Sequence, residues 1–229
     1  APLRVLVECD TGAARCGVQT PAEAVELARH IAAAGGLEFG GLMTYPRAGG
    51  PFGAQAFLAD AKRRCEAAGL AVGVVTSGGS PDMWRAHGAP VVTEYRPGTY
   101  VYMDRSLVRD GVCSFADCAL TVLATVVSTP TPARAVIDAG SKTLSSDLRA
   151  LTGYGHVLGR GDLVIDQLSE EHGRIVAADG GSTGLAVGER VRIVPNHACV
   201  VANLVDAVTT LRGGEVAGPV PVAARGRVR

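Results

Sequence analysis

Between residues 3 and 94, short apolar β-branched runs alternate with stretches whose apolar positions recur at helical spacing, and few folds accept that alternation. The chain opens directly on Leu3-Arg4-Val5-Leu6-Val7-Glu8-Cys9, which reads as entry at a buried strand. Residues 21–34 carry Val25, Ala28 and Ile31 at helical spacing, with Thr20 as cap, Pro21 in the first helical position and Gly35-Gly36 as the stop. Residues 39–45 read as a second strand, 55–68 as a helix stopped at Gly69, 70–76 as a third strand, 81–86 as a short helix and 91–94 as a fourth strand. Four parallel strands joined by helices are too few to close an eight-stranded barrel. The segment is then either a small open sheet or half of a (β/α)8 barrel; the expectation is half a barrel, with exposed edges that need a partner.

After residue 104 the pattern changes to short strands separated by Gly, Pro and Asp turns. The runs at 119–128, 134–138, 162–168, 190–194 and 199–204 predict a mostly antiparallel β domain, so the expected division is 1–104 and 105–229. At 229 residues and 47% hydrophobic content the chain can bury a sizeable core. Twenty-two basic and 22 acidic side chains cancel, so no net field draws it to nucleic acid or an anionic membrane, and a small-molecule partner is expected. No apolar run is long enough to span a bilayer. Six scattered cysteines without a CxxC pair fit a reducing cytoplasm. Lysine occurs only at Lys62 and Lys142.

Three segments suggest chemistry. Ser77-Gly78-Gly79-Ser80-Pro81 lies between a strand and a helix, where free backbone N–H groups favour an anion, although an ordinary turn with a serine cap explains it equally well. Arg96-Pro97-Gly98-Thr99-Tyr100 follows the next strand and would sit on the same face, as in barrels whose phosphate site follows adjacent strands. In Pro195-Asn196-His197-Ala198-Cys199, an extended backbone would put the imidazole and the thiolate on one face as a zinc pair. The alternative is a buried cysteine beside a histidine that bonds the backbone. Arg15 would stand near the active face of a barrel, and Ser169-Glu170-Glu171-His172-Gly173 reads as a turn.

In order, DTGAARCGV at 10–18, GLMTY at 41–45, SGGS at 77–80, TEYRPGTYVYMD at 93–104, DAGSKTLSSD at 138–147, LSEEHG at 168–173 and PNHAC at 195–199 resemble the fold-type III pyridoxal-phosphate enzymes, in the branch of D-serine dehydratase and D-threonine aldolase. The resemblance implies an alanine racemase-like fold, in which a barrel is followed by a mostly β domain. It puts the cofactor phosphate on Ser77, Gly78, Gly79 and Ser80 beside Gly98, Thr99 and Tyr100, with Tyr45 near the pyridine ring and Arg15 near its phenolic oxygen. It makes His197 and Cys199 the zinc pair. Aldolase relatives more often show an aspartate in the second ligand position, so Cys199 favours a dehydratase.

The resemblance implies a D-amino acid substrate, a homodimeric intact enzyme and two possible outcomes, dehydration or aldol cleavage. One family feature is missing. The lysine that joins the cofactor lies on the first barrel strand, and this sequence begins at what would be the fifth. Lys62, beside Arg63 and Arg64, reads as a solvated helix face, and Lys142 belongs to a β-domain motif. The expectation is a fragment or one of two polypeptides, with a non-catalytic cofactor-binding piece as the alternative.

Overall fold

The β-branched run forms β1 (Leu3–Glu8), and the capped segment after it forms α1 (Pro21–Ala33). The cap is reciprocal: Thr20 Oγ1 accepts from the Glu23 N–H at 3.2 Å, and the Glu23 carboxylate accepts from the N–H groups of Thr20 and Gln19 at 3.0 and 2.7 Å. Such a box satisfies donors that no helical carbonyl reaches and contributes about 1 kcal/mol. Helix α1 buries Ala24, Val25, Ala28 and Ile31 on one face. Next come β2 (Leu37–Met43), α2 (Pro51–Ala67), β3 (Val74–Ser77), a 3-10 helix over Ser80–Gly88, and β4 (Glu94–Tyr95). Strands β1 to β4 pair in parallel in sequence order. Val7, Leu42, Leu58 and Val75 pack between sheet and helices.

This computed structural model describes residues 1–49 and 51–227 and separates two units, Ala1–Tyr100 and Val101–Arg229. The last two residues of the expected 105–229 segment lie outside the described ones. No helix among the described residues is long and apolar enough to cross a membrane.

The second unit holds α3 (Arg105–Arg109), β5 (Val122–Thr131), β6 (Arg134–Ile137), α4 (Ser141–Leu144), β7 (His156–Val157), β8 (Leu163–Leu168), β9 (Gly173–Ala177), β10 (Arg190–Val194), α5 (Ala198–Leu204), β11 (Ala207–Arg212) and β12 (Glu215–Pro221). Six strands form an antiparallel sheet in the order β7-β10-β5-β6-β9-β8, and β11 and β12 make a separate hairpin. Its core is Val126, Ile137, Ile165, Ile175 and Ile193, all without exposure. A parallel β/α unit followed by a mostly antiparallel β unit makes the α/β plus β architecture expected from the sequence.

Residues 199–204, expected as a strand, are helical instead. The β-branched pair Val200-Val201 suggests a strand, but the buried positions are Ala198, Val201 and Ala202, whose spacing is helical. Burial of that face overrides local propensity.

Residues 169–173 are the turn between β8 and β9, and α4 docks on it. The N–H groups of Ser141 and Lys142 donate to the carbonyls of Ser169 and Glu170 at 2.8 and 3.1 Å. Gly140 permits the approach, since a Cβ there would lie 2.4 Å from both carbonyl oxygens. Replacing Gly140 by Ala should therefore cost about 1–3 kcal/mol of stability in urea unfolding. Gly161→Ala, whose Cβ would meet only the edge of His156 at 3.9 Å, should change stability by less than about 0.5 kcal/mol.

Candidate functional site

Parallel pairing places the segments after β1, β2, β3 and β4 along one edge of the sheet, and these segments carry Arg15, Tyr45, residues 77–80 and residues 96–100. A buried polar chain ties the edge together. Thr44 Oγ1 donates to the Cys9 carbonyl at 2.8 Å, Arg96 Nη2 donates to the Thr44 carbonyl at 2.6 Å, and Arg96 Nε donates to Thr76 Oγ1 at 3.0 Å. Thr76 Oγ1 in turn donates to Glu94 Oε1 at 2.6 Å. With Thr44 and Thr76 buried, every link must be satisfied internally.

On this base the candidate residues meet. The Arg15 guanidinium lies 4.7 Å above the Tyr45 ring and pairs with Glu8 Oε1 at 3.2 Å. Tyr95 donates its hydroxyl to the Gly79 carbonyl at 2.8 Å, and burial pushes its phenol pKa up, which keeps that donor protonated. The Tyr100 N–H donates to Ser80 Oγ at 3.1 Å, which joins the two glycine loops directly. Gly79 has φ +131°, and a Cβ on it would sit 3.5 Å from the Tyr45 phenol. A Cβ on Gly78 would lie 2.8 Å from the Arg96 carbonyl oxygen. Side chains at these two positions would thus fill the space between the loops. Among the described residues the N–H groups of Gly78 and Gly79 have no protein acceptor. Free N–H groups with the buried hydroxyl of Ser80 form a donor set that suits a phosphate.

In the second unit, His197 immediately precedes α5 and Cys199 lies in its first turn, so the extended HxC segment expected from spacing is not formed. The cause is Asp104, fully buried, whose Oδ2 accepts from the Ala198 N–H at 2.9 Å and starts the helix there. Oδ1 of the same carboxylate accepts from the Leu107 N–H at 3.1 Å and the Ser106 hydroxyl at 2.7 Å, starting α3. His197 and Cys199 remain close enough to interact, and the Cys199 side chain raises the imidazole pKa. Asp147, the next contributor in the same direction, receives His197 Nδ1 at 2.6 Å. Neighbouring Asn196 is buried, donating to the Gly153 carbonyl at 2.8 Å and accepting from Arg105 at 3.1 Å.

Among the described residues no group of three or more His, Cys, Asp or Glu side chains has metal-binding geometry. His197 and Cys199 supply two donors suited to zinc, with an exposed thiol. Two protein ligands fit an open site better than a closed structural one, which uses four. Spacing had identified this pair, while Asp104, Asp147 and Arg96 sat inside recognised motifs without an assigned role. A carboxylate's long-range partners leave no periodic signal in a sequence.

Neither lysine is free. Lys62 pairs with Glu66 on α2, and Lys142 pairs with Glu170 at 2.9 Å and Glu171 at 2.8 Å, bonds that raise its pKa. Burial pushes the Cys9 and Cys118 thiols up to about 12, which removes them as nucleophiles.

Residues 1–106 match the "Alanine racemase, N-terminal domain" family, and residues 119–211 match the "Putative serine dehydratase domain" family. The chain belongs to the fold-type III pyridoxal-phosphate family. A 3-hydroxy-D-aspartate aldolase of Paracoccus denitrificans (strain Pd 1222) is 33% identical across 98% of this family member, which spans 61% of that relative's length. Among solved structures, D-threonine aldolase from Filomicrobium marinum superposes with a TM-score of 0.87 at 31% identity, covering 100% of this chain and 65% of the other. D-threo-3-hydroxyaspartate dehydratase from Delftia sp. HT23 gives 0.84 at 31% identity, with 96% and 65% covered. Two alanine variants of a dehydratase of that name replace a histidine and a cysteine two positions apart, and the cysteine variant is described as metal-free.

Two outcomes follow from these contacts. Borohydride reduction of residues 1–229 with pyridoxal phosphate should leave no stoichiometric label on Lys62 or Lys142 in peptide maps, because both amines are charged and paired. Asp104→Ala strands the Ala198 and Leu107 N–H groups and should cost roughly 3 kcal/mol in thermal or urea unfolding.

Proposed function

We propose that the protein is a pyridoxal-phosphate- and zinc-dependent lyase that dehydrates a β-hydroxy D-amino acid, D-serine or D-threonine, to a keto acid and ammonia. The observation that carries this reading is the placing of His197 and Cys199 together at the start of α5, inside the segment matched by the dehydratase domain. The same histidine and cysteine spacing is altered in two dehydratase variants, of which the cysteine variant is described as metal-free. In this reading residues 1–104 bind the cofactor and 105–229 bind the metal.

Ser77, Gly78, Gly79 and Ser80 hold the phosphate, with Gly98, Thr99 and Tyr100 beside them. Tyr45 would pack near the ring, and Arg15, kept in place by Tyr45 and Glu8, would serve its phenolic oxygen. When bound, pyridoxal phosphate supplies the electron sink for the pair released as the α-proton leaves. Zinc on His197 and Cys199 supplies Lewis acidity at the β-hydroxyl. The net change is loss of water across Cα and Cβ, followed by hydrolysis of the enamine to keto acid and ammonia. Because Lys62 and Lys142 are engaged elsewhere, the lysine that joins the cofactor belongs to polypeptide outside residues 1–229. The intact enzyme is expected to be a cytoplasmic homodimer.

Aldol cleavage to glycine and an aldehyde is the second reading, favoured by the aldolase names of relatives aligned over nearly the whole chain. It would break the Cα–Cβ bond after proton loss from the same hydroxyl. Product analysis separates the two.

With D-serine and D-threonine as substrates, the full-length protein should release keto acid and ammonia. Chelation, or Cys199→Ala, should lower turnover about 100-fold, the rate equivalent of losing a few kcal/mol of Lewis-acid stabilisation. Circular dichroism should be unchanged. Glycine and aldehyde as products would select the aldolase instead. Full activity after stoichiometric metal loss, or melting of the β domain on chelation, would remove the catalytic metal.

A further inference from the structure

We infer that Asp147 is the positioning residue of the metal pair, fixing the His197 ring with its proton on Nδ1 so that the Nε2 lone pair is left for the metal. The inference rests on the metal reading above and adds a residue to it. Asp147 Oδ2 lies 2.6 Å from His197 Nδ1. An ionised carboxylate only accepts hydrogen bonds, so the neutral imidazole must carry its proton on Nδ1 to make this contact. The other nitrogen then has a lone pair and no proton, the form in which imidazole binds a metal.

Asp147 is itself held on several sides. Its Oδ1 accepts from the Arg149 N–H at 3.1 Å, its N–H donates to Ser145 Oγ at 3.2 Å, and its carbonyl accepts from Asn196 Nδ2 at 3.4 Å. Asn196 adjoins His197 in the chain and is bonded in turn to Gly153 and Arg105. Acceptor and ring are therefore fixed by one connected set of bonds. Stability alone gives little reason for the contact. The Asp147 and His197 side chains are 37% and 22% exposed, and an ion pair so open to water contributes little to folding. A fixed tautomer beside a thiol is useful when both must bind one ion.

The test uses the full-length, cofactor-loaded protein with 15N-labelled histidine, the His197 signals being assigned with His197→Ala. Above the imidazole pKa and without metal, the 15N shifts should show the Nδ1–H tautomer. An Nε2–H tautomer in the unaltered protein overturns the inference without needing any Asp147 variant. Zinc affinity is then measured by chelator competition. Asp147→Ala should move His197 towards the Nε2–H form and weaken zinc about 10–100-fold. Asp147→Asn, which keeps an acceptor oxygen, should weaken it less. Equal zinc affinity in the unaltered protein and in both Asp147 variants would overturn the inference while leaving the metal reading intact. Failure of the unaltered protein to bind zinc would overturn both.

Discussion

Parallel pairing of four successive strands is the constraint on which the first unit depends. A parallel strand cannot return by a tight turn, so each crossover brings the chain back to the same end of the sheet before the next strand begins. Arg15, Tyr45, Ser77–Ser80 and Gly98–Tyr100 are far apart in sequence, yet all follow strand ends on one edge. Arg96 converts that coincidence into a fixed surface. Its guanidinium bonds the segment after β2 to β3 itself, and its own strand end sets the second glycine loop. A planar, permanently charged fork does this with less ordering cost per bond than a flexible ammonium would.

The second unit depends on a buried carboxylate. Taking Asp104 out of water is costly, and the cost is offset by three donors, from Leu107, Ser106 and Ala198. These partners are the starts of two helices, so satisfying the charge also fixes where each helix begins. His197 is left just outside α5, and Cys199 lies in its first turn. Docking of α4 on the Ser169 and Glu170 carbonyls follows similar logic, with Gly140 supplying the clearance and Lys142 meeting Glu170 and Glu171.

In the proposed reading the two units divide the chemistry. A phosphate needs convergent N–H groups and hydroxyls, which glycine loops at strand ends provide. A Lewis-acidic metal needs a few soft or imidazole ligands and vacant positions, which a loop-to-helix junction provides. Solved relatives with aldolase and dehydratase names share this architecture, so the fold by itself does not choose between breaking Cα–Cβ and Cβ–O.

Much of the first unit was legible in the sequence. Thr20, Pro21 and the Val25, Ala28, Ile31 stripe gave α1 its start and buried face, and the glycine loops followed runs that did become β3 and β4. These are local signals, carried by side-chain periodicity and by residues that stop or start a helix. The ordered motifs identified the family, and the His197 and Cys199 spacing marked the pair. Strand β9 and the β11–β12 hairpin were missed despite the Gly213-Gly214 turn: the hairpin strands are mostly exposed and present no apolar face, and β9, though its burial alternates, is only five residues long and starts at a glycine. Residues 199–204 were misread as a strand because valine favours strands until burial at 198, 201 and 202 imposes a helix. What only the tertiary structure decided were the contacts of buried polar atoms: Asp104 with two helix starts, Asp147 with His197, and Arg96 with Thr44 and Thr76. Such a bond is set by whichever donor folding brings within about 3 Å, often dozens of residues away, and sequence spacing holds no record of it.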